Sequence, residues 1–343
     1  MHDDEVGLML RLTRRQALAG AVLTPLTGSA VLAANNADTV RADSGTYPTH
    51  AIRLISPYTA GGVGETIMRA LAGNMEPRLG QKLILQAVSG VTGNEGTAEV
   101  AHSAPDGSEL LIAATNNFVI NQFVMKMTFD PLTALAPIAK VADVPLVLFA
   151  NSELPPRNIR DLIAFTKVHP GQVKYGVPAL GSVNHLLMER FKQLTGADLT
   201  CLPYRGSPQS VVALLHNEVQ LLPIGLAAVG PRFRENKLTP LAVATAQRVP
   251  MLPEVPTMAE AAVPGFVAPN WYGLAAPAGT PDRILDILAA AVDEAQGAVV
   301  VKDRLASLGM LVPKETRAEF AASIKAEAEL WSETAQRGNI TVE

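Results

Sequence analysis

The sequence predicts an α/β protein of two lobes, and three observations carry that prediction. The chain has 343 residues, too many for one simple core, so two lobes are the natural division. Apolar residues make up 48% of it but aromatic ones only 5%, so Ala, Val and Leu must fill the interior, as suits strands covered by helices. A unit of apolar strand, small-residue loop and helix also recurs. In its first copy, Ile52-Arg53-Leu54-Ile55-Ser56 runs into Pro57-Tyr58-Thr59-Ala60-Gly61-Gly62-Val63-Gly64-Glu65. A helix with Ile67, Met68, Leu71 and Met75 on one face leaves that loop.

Glycines in that loop let the backbone turn sharply and approach a bound group closely. The free N–H groups at the start of the following helix attract an anion. The unit returns as Leu83-Ile84-Leu85 before Ser89-Gly90-Val91-Thr92-Gly93-Asn94-Glu95-Gly96. It returns again as residues 173–177 before Ala179-Leu180-Gly181-Ser182, and as 199–203 before Tyr204-Arg205-Gly206-Ser207. Four such loops converging on one cleft supply candidate ligand-binding residues: Tyr58, Thr59, Ala60, Gly61 and Gly62; Thr92, Gly93 and Asn94; Gly181 and Ser182; Tyr204, Arg205, Gly206 and Ser207. Thr115 and Asn116 join them at the end of the apolar strand 110–114, because ligands of open α/β sheets sit beyond the carboxyl ends of the strands. A single loop of this kind reads equally as a turn that merely connects elements; four together favour a shared anion-binding cleft. Glu65 is either a first-turn acid favoured by the helix dipole or a cleft residue that would receive an ammonium group. His185 either faces the cleft as a donor or packs half-buried. Arg205 is either a solvated cation or a charge partner of the ligand.

Other function classes find little support. Net charge is −4 and no basic run interleaves with aromatics, so nucleic acid is not an expected partner. Cys201 is the only cysteine, which excludes an intramolecular disulfide and a cysteine-based metal site; it is expected as a small buried strand residue. His50, His102, His169 and His216 are scattered, so no metal or cofactor is expected. Gly62-Val63-Gly64 begins like a dinucleotide loop, but Ile67 stands where the third Gly or Ala belongs. There is no phosphate loop of the G-x-x-x-x-G-K-[ST] type and no G-x-S-x-G elbow. Ser182, three residues before His185 at a helix start, reads as an N-cap rather than a nucleophile. No catalytic residue is assigned and the chain is not expected to be an enzyme.

Residues 1–36 read as an export signal. Thr13-Arg14-Arg15-Gln16-Ala17-Leu18 resembles a twin-arginine signal, an apolar segment broken by Pro25 follows, and Val31-Leu32-Ala33-Ala34 offers small residues for cleavage. Asp3-Asp4-Glu5 runs against that pattern. The mature protein is expected in the periplasm, with 37–146 plus 270–343 as one lobe and 147–269 as the other. Expected elements are a helix over 65–79 capped by Gly80, a strand over 82–87 and a short helix ending near 103. The apolar strand 144–150 makes the first crossing between lobes. A helix over 159–168 stops before Pro170-Gly171, and a helix after Ser182 carries Leu186, Leu187 and Phe191 inward. Ser207 caps a helix with Pro208 in its first turn; strands follow at 219–224 and 241–246, and 271–276 returns to the first lobe. Thr280-Pro281 opens a helix with Ile284, Leu285, Leu288 and Val292 on one stripe. Thr316 and Glu319 form a capping box for a last helix to about 337, with Phe320, Ile324 and Trp331 inward.

Short motifs now combine: Pro57-Tyr58-Thr59-Ala60-Gly61-Gly62, Gly93-Asn94-Glu95-Gly96, Pro105-Asp106-Gly107 and Phe129-Asp130-Pro131. Gly181-Ser182-Val183-Asn184-His185-Leu186, Pro203-Tyr204-Arg205-Gly206-Ser207, Leu252-Pro253-Glu254-Val255-Pro256-Thr257, Trp271-Tyr272-Gly273-Leu274 and Pro277-Ala278-Gly279-Thr280-Pro281 continue them. In this order and spacing the chain resembles the Bug-type extracytoplasmic solute receptors of tripartite tricarboxylate transporters. The resemblance implies a two-lobed, type II periplasmic-binding-protein (Venus-flytrap) fold with two crossing strands. It implies a monomeric receptor that closes over a small carboxylate and hands it to membrane permease subunits. The loops matching 57–62 and 90–96 would grip the carboxylate, partly through water, and those matching Gly181-Ser182 and 204–207 would close from the other lobe. Two departures bear on the ligand: Glu65 where the family often has Asp, and Pro178-Ala179-Leu180 where a polar or Gly-rich run is usual. A sensory receptor serving a signalling partner is the alternative function, and a hydrolase or transferase using the same cleft is a more distant one.

Overall fold

The computed structural model describes residues 46–58, 62–90, 93–230 and 237–342. The export signal expected over 1–36 lies outside these residues, as do Thr59, Ala60, Gly61 and Thr92. Three strand–helix units open the chain. β1 (Ile52–Ser56) feeds α1 (Val63–Leu79), and β2 (Leu83–Ala87) feeds α2 (Asn94–Ala101). β3 (Glu109–Ala114) feeds a π-helical turn (Asn116–Ile120) that continues into α3 (Asn121–Val124). After α4 (Pro131–Ala134), β4 (Leu135–Asp143) leads across to β5 (Leu146–Asn151). Beyond α5 (Ile159–Val168) the units repeat as β6 (Val173–Val177) with α6 (Val183–Thr195), β7 (Leu199–Pro203) with α7 (Ser207–Leu215) and β8 (Leu221–Gly225) with α8 (Leu226–Val229). β9 (Leu238–Val243) and α9 (Met258–Ala261) precede the return crossing into β10 (Trp271–Pro277), α10 (Asp282–Gly297), α11 (Val299–Ser307) and α12 (Arg317–Arg337).

These strands form two five-stranded sheets, β2-β1-β3-β10-β4 and β7-β6-β8-β5-β9. In each, three parallel strands are joined by one antiparallel strand set between the third and the last. β10 fills that place in the first sheet and β5 in the second, so both lobes have one topology and each receives a strand from a crossing. This is the two-lobed type II binding-protein arrangement. The strands between helix layers are apolar runs such as Leu110, Leu111 and Ile112, all fully buried, because both faces of a mostly parallel sheet are covered.

The two crossings touch. The Val144 N–H donates to the Asn270 carbonyl at 2.7 Å, and the Asn270 side chain donates back to the Val144 carbonyl at 3.3 Å. Trp271, fully buried, anchors the return crossing: Phe118 and Phe320 meet its ring edge-on, and its indole N–H donates to Glu327 Oε2 at 2.7 Å. Burial pushes the Glu327 carboxyl up to about 7, against the pull of that N–H and of Lys140. Lys140, only 6% exposed on β4, is itself paired with Glu315 at 2.6 Å and Asp143 at 3.3 Å.

Several boundaries shift from the sequence expectation for visible reasons. The first crossing is Val144-Pro145, and β5 starts at Leu146, since Pro145 has no N–H to give a ladder. Gly206, at φ 98°, caps α7 instead of Ser207; Ser207 becomes the first helical residue, and the missing N–H of Pro208 falls in the first turn, where it has no partner to lose. Thr280 does not cap α10, because its hydroxyl donates to the Pro277 carbonyl at 2.8 Å; Pro281 takes the cap position. Cys201 is half-buried on β7 rather than buried. The expected αL cap at Gly80 (φ 66°) and the Thr316/Glu319 capping box are both present.

Candidate functional site

Because both sheets have the same topology, the carboxyl ends of their parallel strands supply equivalent loops: β1–α1, β2–α2 and β3 in one lobe, β6–α6, β7–α7 and β8–α8 in the other. Between them lies a cavity of about 290 Å³. Of the residues expected at the site, Tyr58, Asn116, Ser182 and Ser207 line it, two from each lobe. The Tyr58 hydroxyl donates to Asn117 Oδ1 at 3.3 Å, and burial raises the phenol far above its ordinary pKa, so it is a neutral donor group. Asn116 reaches across the cleft: its Nδ2 donates to the Gly181 carbonyl at 3.3 Å, and its Oδ1 accepts from the Val183 N–H at 3.2 Å.

The other expected residues stand behind this wall or away from it. Gly62 caps α1 with an extended backbone. Gly93, at φ 85°, lets Tyr58 lie close, since a Cβ there would come within 3.2 Å of the ring. Asn94 turns into its own lobe, accepting from Asn121 Nδ2 at 2.7 Å. Thr115 is buried and its hydroxyl accepts the Trp271 N–H at 2.9 Å. Glu65 is 7% exposed and ion-paired with Arg69 one helical turn on, outside the cavity lining. Arg205 is exposed, with its N–H donating to Gln209. Tyr204 faces a separate shallow pocket of about 430 Å³ beside Pro208 and Val212.

Ser182 and His185 do not form a nucleophile–base pair. The Ser182 hydroxyl donates to the Ala179 carbonyl at 2.7 Å and accepts the His185 N–H at 3.4 Å, as an N-cap does. His185 is buried, its Nδ1 accepts the Gly181 N–H at 3.2 Å, and burial lowers its pKa, so the ring is neutral and braces the loop. Among the described residues no group of three or more His, Cys, Asp or Glu stands together as a metal site, and no helix is long and apolar enough to cross a membrane.

Sequence reasoning missed several wall residues. Asn184, Asn270 and Tyr272 add polar groups; Val144, Leu146, Gly225 and Met310 add apolar or main-chain surface. Gly225 was in principle findable, since it ends β8 as Thr115 follows β3. Tyr272 enters only because Gly64 has no side chain: a Cβ there would lie 2.8 Å from the Tyr272 ring.

Residues 67–339 match the family described as tripartite tricarboxylate transporter family receptor (TctC). The chain belongs to this receptor family. It is 35% identical over 318 residues to protein BugT of Bordetella pertussis, covering 91% of this chain and 97% of that one. Among solved structures, R. palustris Rpa4515 with adipate superposes with a TM-score of 0.76 at 32% identity, covering 86% of this receptor and all of that chain. MatC (Rpa3494) from Rhodopseudomonas palustris with bound malate does so with a TM-score of 0.72 at 28% identity, covering 84% and 99%. Tripartite transporter receptors are solute-binding proteins, and the cavity between the lobes is the candidate solute site.

Proposed function

We propose that this receptor binds a small carboxylate between its lobes in the periplasm and delivers it to the permease subunits of a tripartite tricarboxylate-type transporter, acting as a monomer after removal of its export signal. The observation that carries this reading is a cavity walled by strand-end loops of both lobes, in which Tyr58, Asn116, Ser182 and Ser207 meet. The polar groups described on that wall are hydroxyls and amides, so affinity comes from neutral donors, main-chain N–H groups and water rather than from ion pairs. The adipate and malate held by the two R. palustris relatives support the carboxylate class. Contacts made only when the lobes close supply the differential affinity that drives closure. Among the candidate residues, Thr59, Ala60, Gly61 and Thr92 are assigned to ligand binding from the sequence alone.

The test is a thermal-shift screen of the mature protein, stripped of copurified ligand, against mono-, di- and tricarboxylates, aromatic acids and amino acids. A ligand at about 100 times its dissociation constant stabilises the folded state by about 2.7 kcal/mol, a shift of roughly 5 °C. A carboxylate hit supports the reading, and stabilisation by non-acidic solutes alone refutes the carboxylate assignment.

A further inference from the structure

We infer that Asn116 is a clasp between the lobes, braced by α12 and the C-terminal residues, so that part of the closing energy is built into the protein and is present before ligand arrives. The inference rests on the two-lobed receptor reading but not on which ligand is bound. Asn116 belongs to the first lobe, in the turn that follows β3, and both polar atoms of its side chain are spent on the second lobe. Val183 is the first residue of α6, so its N–H has no partner within the helix. Asn116 supplies that partner from across the cleft, while Ser182 caps His185 from within the same chain segment.

Both ends of the clasp are held in place. On the far side, Gly181 adopts φ 71° and its N–H is taken by His185, which aims its carbonyl at Asn116. On the near side, the neighbouring Thr115 accepts the N–H of Trp271, the first residue of the strand returning from the second lobe. The clasp is thus tied directly to the crossing.

The same helix is gripped once more, and the loop before it is packed from the first lobe. Gln193 of α6 donates to the Thr334 carbonyl of α12 at 3.0 Å. The Val342 N–H donates to the Val124 carbonyl at 2.6 Å, and these two valines lie so near Gly181 that a Cβ there would come within 2.7 Å of one and 3.0 Å of the other. The Asn116 and Gln193 bonds, with the packing at Gly181, hold α6 and the loop before it against the first lobe, and in the proposed clasp the two Asn116 bonds are the ones lost when the cleft opens. Asn116 alone of these side chains also lines the cavity, which puts the clasp within reach of a bound solute.

The experiment needs no ligand. Small-angle scattering and hydrogen exchange are measured on ligand-stripped wild type, Asn116→Ala and Asn116→Ser, each checked by circular dichroism, so that one misfolded variant does not void the comparison. Loss of two neutral hydrogen bonds raises the open-to-closed ratio roughly tenfold. The expected result is a larger radius of gyration together with faster exchange at the Val183 amide. If exchange quickens while the scattering curves overlay, Asn116 is only a local helix cap and the inference is overturned. Unchanged exchange and scattering overturn it as well. A carboxylate screen that fails leaves this result untouched, so the two proposals fail separately.

Discussion

Glu327 offers the sharpest test of the physics beneath the crossing. It is 5% exposed, accepts the Trp271 indole N–H, and faces Lys140, Asp143 and Glu315 from β4 and the segment before α12. Its folded pKa is about 7, against an ordinary value of 4.5. A carboxyl whose pKa rises on folding binds its proton more tightly in the folded state. Stability from this group is therefore full at low pH, falls as pH rises above about 4.5, and is fully lost above about 7. The difference between the two limits is about 3 kcal/mol, most of it falling between pH 5 and pH 8. Glu327→Gln keeps an acceptor for Trp271 and removes the titration. Thermal melts by circular dichroism, run from pH 5 to pH 8, should show the wild type losing about 2 to 3 kcal/mol relative to the variant, or roughly 5 °C. Asp143 and Glu109, whose pKa values are also raised by burial, pull in the same direction in both proteins and cancel in the comparison. Parallel curves for the two proteins would refute the reasoning.

Two further outcomes are expected. Gly64→Ala drives a methyl against the half-buried Tyr272 ring; overpacking of this kind costs about 1–3 kcal/mol, read as a lower melting temperature, and calorimetric titration with whichever carboxylate the screen finds should show weaker binding. Thr316→Ala removes the side chain that accepts the Glu319 N–H and breaks the capping box of α12. It should cost about 1 kcal/mol by urea denaturation, and an unchanged midpoint would show that the box contributes nothing.

Much of this fold was legible because local chemistry and tertiary structure agree. The helix Ile159–Val168 stops before Pro170 as expected, Gly80 ends α1 through its left-handed backbone and Thr316 begins α12 through its hydroxyl. The recurring loops read correctly as strand-to-helix joints, because small residues there answer to backbone geometry. β4 was not legible: its sequence, Leu-Ala-Pro-Ile-Ala-Lys-Val-Ala-Asp, carries Pro137 and Lys140. Pro137 is tolerated because β4 lies at the sheet edge, and Lys140 because Glu315, far away in sequence, neutralises it. The same limit applies at the cavity. Asn184, Asn270 and Tyr272 look like ordinary polar residues until the crossing brings them together, and the two bonds of Asn116 join segments with no local signal for one another.

The strand order also sets a sequence of events in folding. Every strand of the second sheet lies between Leu146 and Val243, so that lobe assembles from one contiguous stretch of chain. The first sheet cannot. β10 is its fourth strand in space but its last in sequence, and until Trp271–Pro277 has been made, β3 and β4 each carry a bare edge open to pairing with another chain. The half of the molecule synthesised first is thus the half that is finished last. The interval is that needed to make the 127 residues from Val144 to Asn270, several seconds to tens of seconds at typical synthesis rates of about 5–20 residues per second. A chaperone that shields such edges would find its substrate in the nascent N-terminal half of this chain.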